Sequence, residues 1–405
     1  MATRVIAASN IEGSAVQPLD DLLQQALQKG ASDMHFESSD TQFRVRFRID
    51  GQLQIAATPP WQLRDAMVSR LKVLARMDIA EKRIPQDGRI QYPNGANIID
   101  LRVSSLPTLH GEKMVVRILN FSRERPDLAT LGYEPDDRER LTQTLGQPHG
   151  MVLMTGPTGS GKTSSLYSCL EILNRPEVNI STVEDPSEIL LPGANQVNVN
   201  ERAGLTFSVT LRALLRQDPD VIMVGEIRDT ETAEIAIQAA QTGHLVLSTL
   251  HTNDAPSTLA RLRHMGIAPF NVAASVIAIT AQRLVRRLCN QCKRPLNKVQ
   301  TQAFFGHLST QDQQALHAVD PNTPILYQAV GCVACDRGYK GRIGIYQVMP
   351  ITESLQSLIL QDSNVQALAQ QATREGMRTL RQAGWLKVMQ GITSIDEVMA
   401  VTAHA

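Results

Sequence analysis

The sequence predicts an α/β protein built around a mostly parallel sheet, preceded by a smaller α+β region and followed by helices. Three observations carry that prediction. Between residues 150 and 251 short apolar runs, "GMVLMTG", "VNISTVED", "DVIMVGEIRD" and "HLVLSTLH", alternate with helix-period segments, "KTSSLYSCLEILN" and "TAEIAIQAAQTG". That alternation belongs to parallel strands covered by helices on both faces. Earlier, "TQFRVRFRIDGQLQ" sends Phe43, Val45, Phe47 and Ile49 one way and Arg44, Arg46 and Arg48 the other, as a half-buried strand does. From about 351, "ESLQSLIL", "VQALAQQATREG" and "RTLRQAGWLKVMQG" each carry an apolar helical face.

Taken in order, residues 1–16 are small and polar and read as a loose leader. "PLDDLLQQALQKGASD" sets Leu19, Leu22, Leu23, Ala26 and Leu27 on one helical face, with Gly30 as a stop signal. The Arg-rich strand ends in an Asp-Gly turn, a second helix fits "AMVSRLKVLARMD", and strands fit "GRIQYP", "ANIIDLRVSSLP" and "EKMVVRILN". These place one domain at 17–120. "FSRERPDLATLG" is charged, holds a proline and lacks period, which marks 121–132 as a linker. Beyond it a core is expected at 133–282, a cysteine-bearing module at 283–348 and a helical part at 349–405.

The 405 residues suffice for two or three domains. Lys plus Arg equals Asp plus Glu at 40 each, so the whole chain carries no electrostatic footprint for nucleic acid, although a balanced total leaves room for a local patch. The start lacks the apolar core of a signal peptide, and no tract of about 18 uncharged apolar residues exists. A cytoplasmic protein is expected, touching a membrane only through partners.

"GPTGSGKT" lies between an apolar strand and a helix and matches G-x-x-x-x-G-K-[ST], the P-loop. Gly156, Pro157, Thr158, Gly159, Ser160, Gly161, Lys162 and Thr163, with Ser164 after them, are the candidate nucleotide-binding residues. The glycines let successive N–H groups curl around phosphates at a positive helix end. Lys162 then reaches the β- and γ-phosphates of ATP and the Thr163 hydroxyl ligates Mg²⁺. Carboxylates must organise the metal and the attacking water. Glu184 and Asp185 end one strand and Glu226 follows another, and such strand ends open into the P-loop's crevice. Asp185 precedes Pro186 and also suits plain turn initiation. His244 and His251 flank "LVLSTL" seven positions apart and face opposite ways if one strand spans both. His251, beside Thr249 and Thr252, is the better γ-phosphate sensor, and His244 stays open between a structural and a chemical role.

Four of the five cysteines form two C-x₂-C pairs, Cys289/Cys292 and Cys332/Cys335, with 39 residues between them. In a reducing cytosol such pairs mean metal or redox chemistry. A thioredoxin-like βαβ setting is absent, and four thiolates suit a closed, structural Zn²⁺ site without a catalytic vacancy. Arg286, Arg287, Lys293, Arg294 and Arg337 are expected to offset its negative charge. Cys169, inside the P-loop helix, reads as a plain buried cysteine.

The strings "ASDMHFE", "RFRIDG", "DIAEKRIPQDGRI", "LPTLHGEKMVVRIL", "GPTGSGKT", "STVEDPSE", "AGLTFSVTLRALLRQDPDVIMVGEIRD", "TAEIAIQAAQTGHLVLSTLHTND", "AQRLVRRLC" and "YKGRIGIYQV" together resemble the type II secretion and type IV pilus assembly ATPases of the secretion ATPase superfamily. The resemblance implies a PAS-like domain at 17–120, a RecA-like ATPase core, ATP at their junction and a homo-hexameric ring. It assigns Gly156 to Thr163 to Walker A, Glu184 and Asp185 to the Asp box, Glu226 to the catalytic Walker B position, and His244 and His251 to the His box. It further implies that Arg102, Arg117, Arg212, Arg216 and Arg342 contact phosphates or the neighbouring domain. The implied work is ATP hydrolysis driving an inner-membrane platform protein in pilus assembly, or in type II secretion, with no nucleic acid involved. A pilus retraction motor is disfavoured because such relatives generally lack the paired cysteines. A DNA-translocating ring lacks a basic and aromatic groove here, and a non-hydrolysing ring would not need the P-loop and acids. Two departures stand out: only a short leader precedes the first family helix, which puts recruitment through a further N-terminal domain in question, and Ser187 occupies an expected apolar position, where looser packing is anticipated.

Overall fold

The computed structural model describes residues 15–95, 97–119, 127–310, 312–313 and 325–403. Residues 1–14 of the expected leader and 121–126 of the expected linker lie outside these. The chain divides into two units, Met1–Arg123 and Glu124–Ala405.

The first unit is a six-stranded antiparallel sheet of order β3-β2-β1-β6-β5-β4, made of β1 (Asp33–Ser38), β2 (Phe43–Ile49), β3 (Gln52–Ala57), β4 (Gln86–Asn94), β5 (Asn97–Thr108) and β6 (Gly111–Leu119). Period-2 alternation decides its faces. Phe36, Phe43, Val45, Phe47, Val103 and Val116 join Leu19, Leu22 and Leu23 of helix Val16–Gln28 and Met67 and Leu71 of helix Arg64–Leu74 in one core. The other face carries ion pairs, with Arg44 and Arg46 on Glu37 at 3.2 and 2.7 Å and Arg117 on Asp33 at 3.0 Å. Asp50 and Gly51 connect β2 to β3 with φ of +50° and +84°. A two-residue turn with both residues left-handed matches strand twist, and Asp-Gly tolerates it.

A buried ion pair lies inside this unit. Lys72 is 1% exposed, its Nζ lies 2.5 Å from Glu112 Oε1, and it donates to the Glu81 carbonyl at 2.7 Å. Removing one partner strands a buried charge. Lys72→Met is therefore expected to destabilise the unit by about 3–5 kcal/mol, and adding Glu112→Leu to recover much of that loss. Denaturant melts of the single and double variants check this, and equal stabilities would refute it.

The second unit holds a seven-stranded sheet of order β15-β12-β7-β11-β10-β8-β9. Its members are β7 (Gly150–Thr155), β8 (Ile180–Glu184), β9 (Asn195–Asn198), β10 (Val221–Val224), β11 (Leu245–Leu250), β12 (Val276–Leu288) and β15 (Tyr339–Pro350). All neighbours run parallel except β15, which pairs antiparallel with β12. Strands β7, β10 and β11 are buried throughout, and their residues divide between two cores. Met151, Leu153, Ile222, Val224 and Val246 face one, while Val152, Met154, Val221, Met223 and Leu247 face the other. The expected α/β architecture with helices on both faces is what the chain adopts.

Several boundaries differ from expectation. Asp127 caps a helical turn at Leu128–Leu131, whose Leu128 is buried with Leu141 and Leu166, so the end of the expected linker belongs to the second unit's core. The expected break at 282/283 falls inside β12, and the one at 348/349 inside β15. Both strands continue from the cysteine region into the main sheet. Four C-terminal helices, Glu353–Leu360, Val365–Arg374, Leu380–Met389 and Ile395–Thr402, are started by side-chain caps from Thr352, Asn364, Thr379 and Ser394. The last of them lies inside the expected helical part at 349–405 but outside the three apolar-faced segments named for it.

Candidate functional site

The parallel register aligns the carboxyl ends of four strands. Val224 lies opposite both Val183 and Ser248, and Leu250 lies opposite Thr155. Hence the P-loop after β7, Glu184 and Asp185 at the end of β8, Glu226 after β10 and His251 after β11 emerge along one edge, where open α/β sheets bind ligands.

The P-loop depends on glycine at two points. Gly156 has φ +150°, and an added Cβ would lie 2.5 Å from Ser160 Oγ and 2.6 Å from the Gln282 carbonyl. Gly161, at φ +89°, starts the helix Lys162–Leu173. Gln282 of β12 is fully buried and donates from Nε2 to the Ser160 carbonyl at 2.8 Å, clamping the loop from beneath. Beside it Arg283 donates to the Asn253 carbonyl at 2.9 Å. Lys162 curls back, donating to the carbonyls of Gly156 at 2.8 Å and Pro157 at 3.2 Å. Burial pulls its amine down to about 8, with Arg283 adding repulsion and Glu226 opposing. An ammonium parked on two carbonyls is ready to move to a better anion.

The three acids divide into different environments. Glu184 is buried and accepts hydrogen bonds from Tyr167 Oη and Thr182 Oγ1 at 2.7 Å each, and from Ser187 Oγ and Gln196 Nε2 at 3.2 Å. Burial, with Glu184 alongside, raises the Tyr167 hydroxyl far above its ordinary range, which keeps it a donor. Ser187, where looser packing was anticipated, instead adds a hydrogen bond to this network. Glu226 and Asp185 are more open, and Arg228 pairs with both: with Glu226 Oε1, and with Asp185 Oδ2 at 3.4 Å. His251 Nε2 lies 3.5 Å from Glu226 Oε2.

His244 does not reach this edge. Strand β11 spans only Leu245–Leu250, so His244 sits before it and His251 after it, separated by roughly 20 Å of extended chain. The His244 ring meets the Ala239 carbonyl at 3.0 Å, at the end of helix Thr230–Gln241. Arg212 pairs with Glu231 at 2.8 Å, and Arg216 donates to the Arg212 carbonyl at 2.8 Å. Arg342 lies opposite Arg286 in the β12–β15 ladder. In the first unit Arg102 and Arg117 face each other across β5 and β6, lining with Arg89 and Asp87 a hollow of about 520 Å³. Arg228, Tyr167, Gln282 and Arg283 were missed, although "GEIRD" and "AQRLVRR" contained three of them.

The four cysteines converge. Their Sγ atoms lie within 4.8 Å of one another, at 3.9 Å for Cys289–Cys332, 3.7 Å for Cys292–Cys335 and 3.6 Å for Cys332–Cys335. Backbone N–H groups of Gly331 and Cys332 point at the sulfurs of Cys292 and Cys335, at 3.3 and 3.2 Å. A tetrahedral ion with metal–sulfur bonds of about 2.3 Å needs edges of about 3.8 Å, so the donor set fits a metal. Two of the basic residues expected around it are engaged elsewhere. Arg286 pairs with Glu397 and packs over Tyr339, and Lys293 donates to the Gly391 carbonyl. Cys169 is buried, and burial pushes its thiol up to about 12, as befits an inert core residue.

Among known proteins, the type IV pilus assembly ATPase PilB of Acinetobacter baylyi is 52% identical over 97% of this chain and 67% of its own length. The type II secretion system ATPase E of Vibrio cholerae is 45% identical over 98% of this chain and 77% of its own. The Legionella pneumophila ATPase DotB shares the fold, with a TM-score of 0.71 at 19% identity and 99% of both chains covered. Residues 10–400 match the model of one family, and the chain belongs to it: the type II/IV secretion system proteins.

Proposed function

We propose that the chain is the ATP-hydrolysing motor of a type IV pilus assembly machine, acting as a homo-hexamer on an inner-membrane platform protein from the cytoplasmic side. One observation carries the reading: a glycine cradle with Lys162, and the acids Asp185 and Glu226, meet at one sheet edge in a chain 52% identical to a pilus assembly ATPase. Walker A residues Gly156 to Ser164 hold ATP, Thr163 takes Mg²⁺, and Glu226 polarises the water while His251 senses the γ-phosphate. Glu184 backs Asp185 from the interior. Arg102, Arg117, Arg212, Arg216 and Arg342 serve phosphates or neighbouring domains in the ring, and the four cysteines hold Zn²⁺. Among the described residues no helix is long and apolar enough to cross a membrane. The 45% identity to a type II secretion ATPase supports secretion as the second reading.

The Lys162 ammonium supplies a test. Its proton is lost above about pH 8 in the free chain, so kcat/KM for ATP is expected to fall above that pH, while the limb in kcat lies further alkaline because bound phosphate restores the charge. Lys162→Ala should release no phosphate from ATP, and cells carrying it should lose surface pili. Intact pili with secreted proteins retained inside would move the assignment to secretion, and undiminished hydrolysis would overturn it.

A further inference from the structure

We infer that Arg228 is a positioning residue of the hydrolytic site: its guanidinium holds the place of a cation between Glu226 and Asp185 and must yield Glu226 when Mg²⁺ and nucleotide arrive. The inference rests on the hydrolytic reading above. The same nitrogen, Nη2, contacts both carboxylates, which close two adjacent strands, β10 and β8. Glu201 adds to the attraction, and the Phe207 ring lies 6.0 Å from the guanidinium. Among the ion pairs of the described residues, Arg228 is the cation shared by these two acids. Two neighbouring carboxylates without a cation repel each other, and Arg228 removes that repulsion in the empty site.

Turnover changes what is needed. Glu226 must present a carboxylate oxygen to water, yet Oε1 is held by Arg228 and Oε2 lies beside His251. Mg²⁺ arriving with nucleotide would compete with the guanidinium for these acids. Arg228 is 55% exposed on a flexible stem, so it can swing outward without disturbing the core. An ordinary surface salt bridge would be indifferent to magnesium. A placeholder is not.

The test uses the full chain and three forms: wild type, Arg228→Gln and Arg228→Lys. Without nucleotide, the melting temperature of Arg228→Gln is expected to rise when millimolar MgCl₂ replaces EDTA, while wild type and Arg228→Lys stay level. In ATP hydrolysis, the half-saturating Mg²⁺ concentration should fall about fivefold in Arg228→Gln, the equivalent of removing one partly exposed ion pair. KM for ATP should change little, since Arg228 touches no part of the P-loop. An identical Mg²⁺ response in all three forms, with wild type hydrolysing ATP normally, overturns the inference and leaves the hydrolytic reading standing. A large rise in KM with an unaltered Mg²⁺ response also overturns it, making Arg228 a phosphate ligand. A wild type that releases no phosphate fails the underlying reading instead.

Discussion

Glu226→Gln is expected to lower kcat for ATP hydrolysis by about 10³-fold while leaving ATP affinity within about twofold. Glu226 is the acid best placed to act on water. It follows β10 at the edge shared with the P-loop, and its carboxylate is partly open, beside Arg228 and His251. The amide keeps the size and can still receive a hydrogen bond, so the change removes charge at the moment water is polarised and little else. Affinity should survive because the proposed binding uses backbone N–H groups of the P-loop and Lys162, whose hydrogen bonds go to Gly156 and Pro157. Glu184→Gln makes the contrast. Its carboxylate is saturated by Tyr167, Thr182, Ser187 and Gln196, so the amide would oppose at least one donor with a donor. That variant should cost about 1–3 kcal/mol of stability, and any loss of turnover should follow from displacement of Asp185. Phosphate release with parallel binding of a fluorescent ATP analogue separates the two cases. If Glu184→Gln abolished turnover at full stability and Glu226→Gln hydrolysed normally, the assignment of roles would be reversed.

The parts of this molecule that announced themselves in sequence are those where one local rule dominates. Phe43, Val45 and Phe47 alternate with arginines because one face of β2 is core and the other is solvent. The P-loop is legible because phosphate geometry demands glycines and a lysine at fixed spacing. What stayed hidden depends on distant pairing. β12 reads "VIAITAQRLVRRL", polar in its second half, and becomes a core strand only because β7 and β15 flank it. Gln282 would pass for a surface glutamine until β12 carries it beneath Ser160. Arg228, like most arginines, reads as solvated, and its importance arises from two carboxylates on different strands. His244 shows the converse: sequence proximity to a functional strand put it in question, and the strand's direction carried it to the far end.

Removing the proposed Zn²⁺ from the cysteine cluster is expected to loosen the two knuckles, residues 289–295 and 327–335, while sparing the sheet. Sγ separations of 3.6–3.9 Å leave four thiols in mutual contact, a grouping that a bound Zn²⁺ makes favourable and that repulsion between thiolates opposes without it. Next to the cysteines, strands β13 (Arg294–Pro295) and β14 (Tyr327–Gln328) share a ladder of only two residue pairs, whereas Phe304 and Leu326 further along are buried in the second unit's core. By contrast, β12 and β15 are paired from Ala278–Pro350 to Leu288–Tyr339, beside a buried core, and need no metal. Structural zinc sites in isolated knuckles are worth about 10–16 kcal/mol, far more than a two-pair ladder supplies. Cys332→Ser should therefore reduce zinc from about one per chain to near zero and open the knuckles at 289–295 and 327–335 to protease, with the main thermal transition kept. Gln282 grips the P-loop six residues before Leu288, inside the surviving ladder, so ATP hydrolysis by the isolated chain should persist. Coupling to a partner is then what the loss would expose, because the proposed metal would join Cys332 and Cys335 to Cys289 and Cys292, which follow the strand whose Gln282 clamps the nucleotide loop. Zinc well below one per chain in the native protein, with the segment protected and activity normal, would end this account.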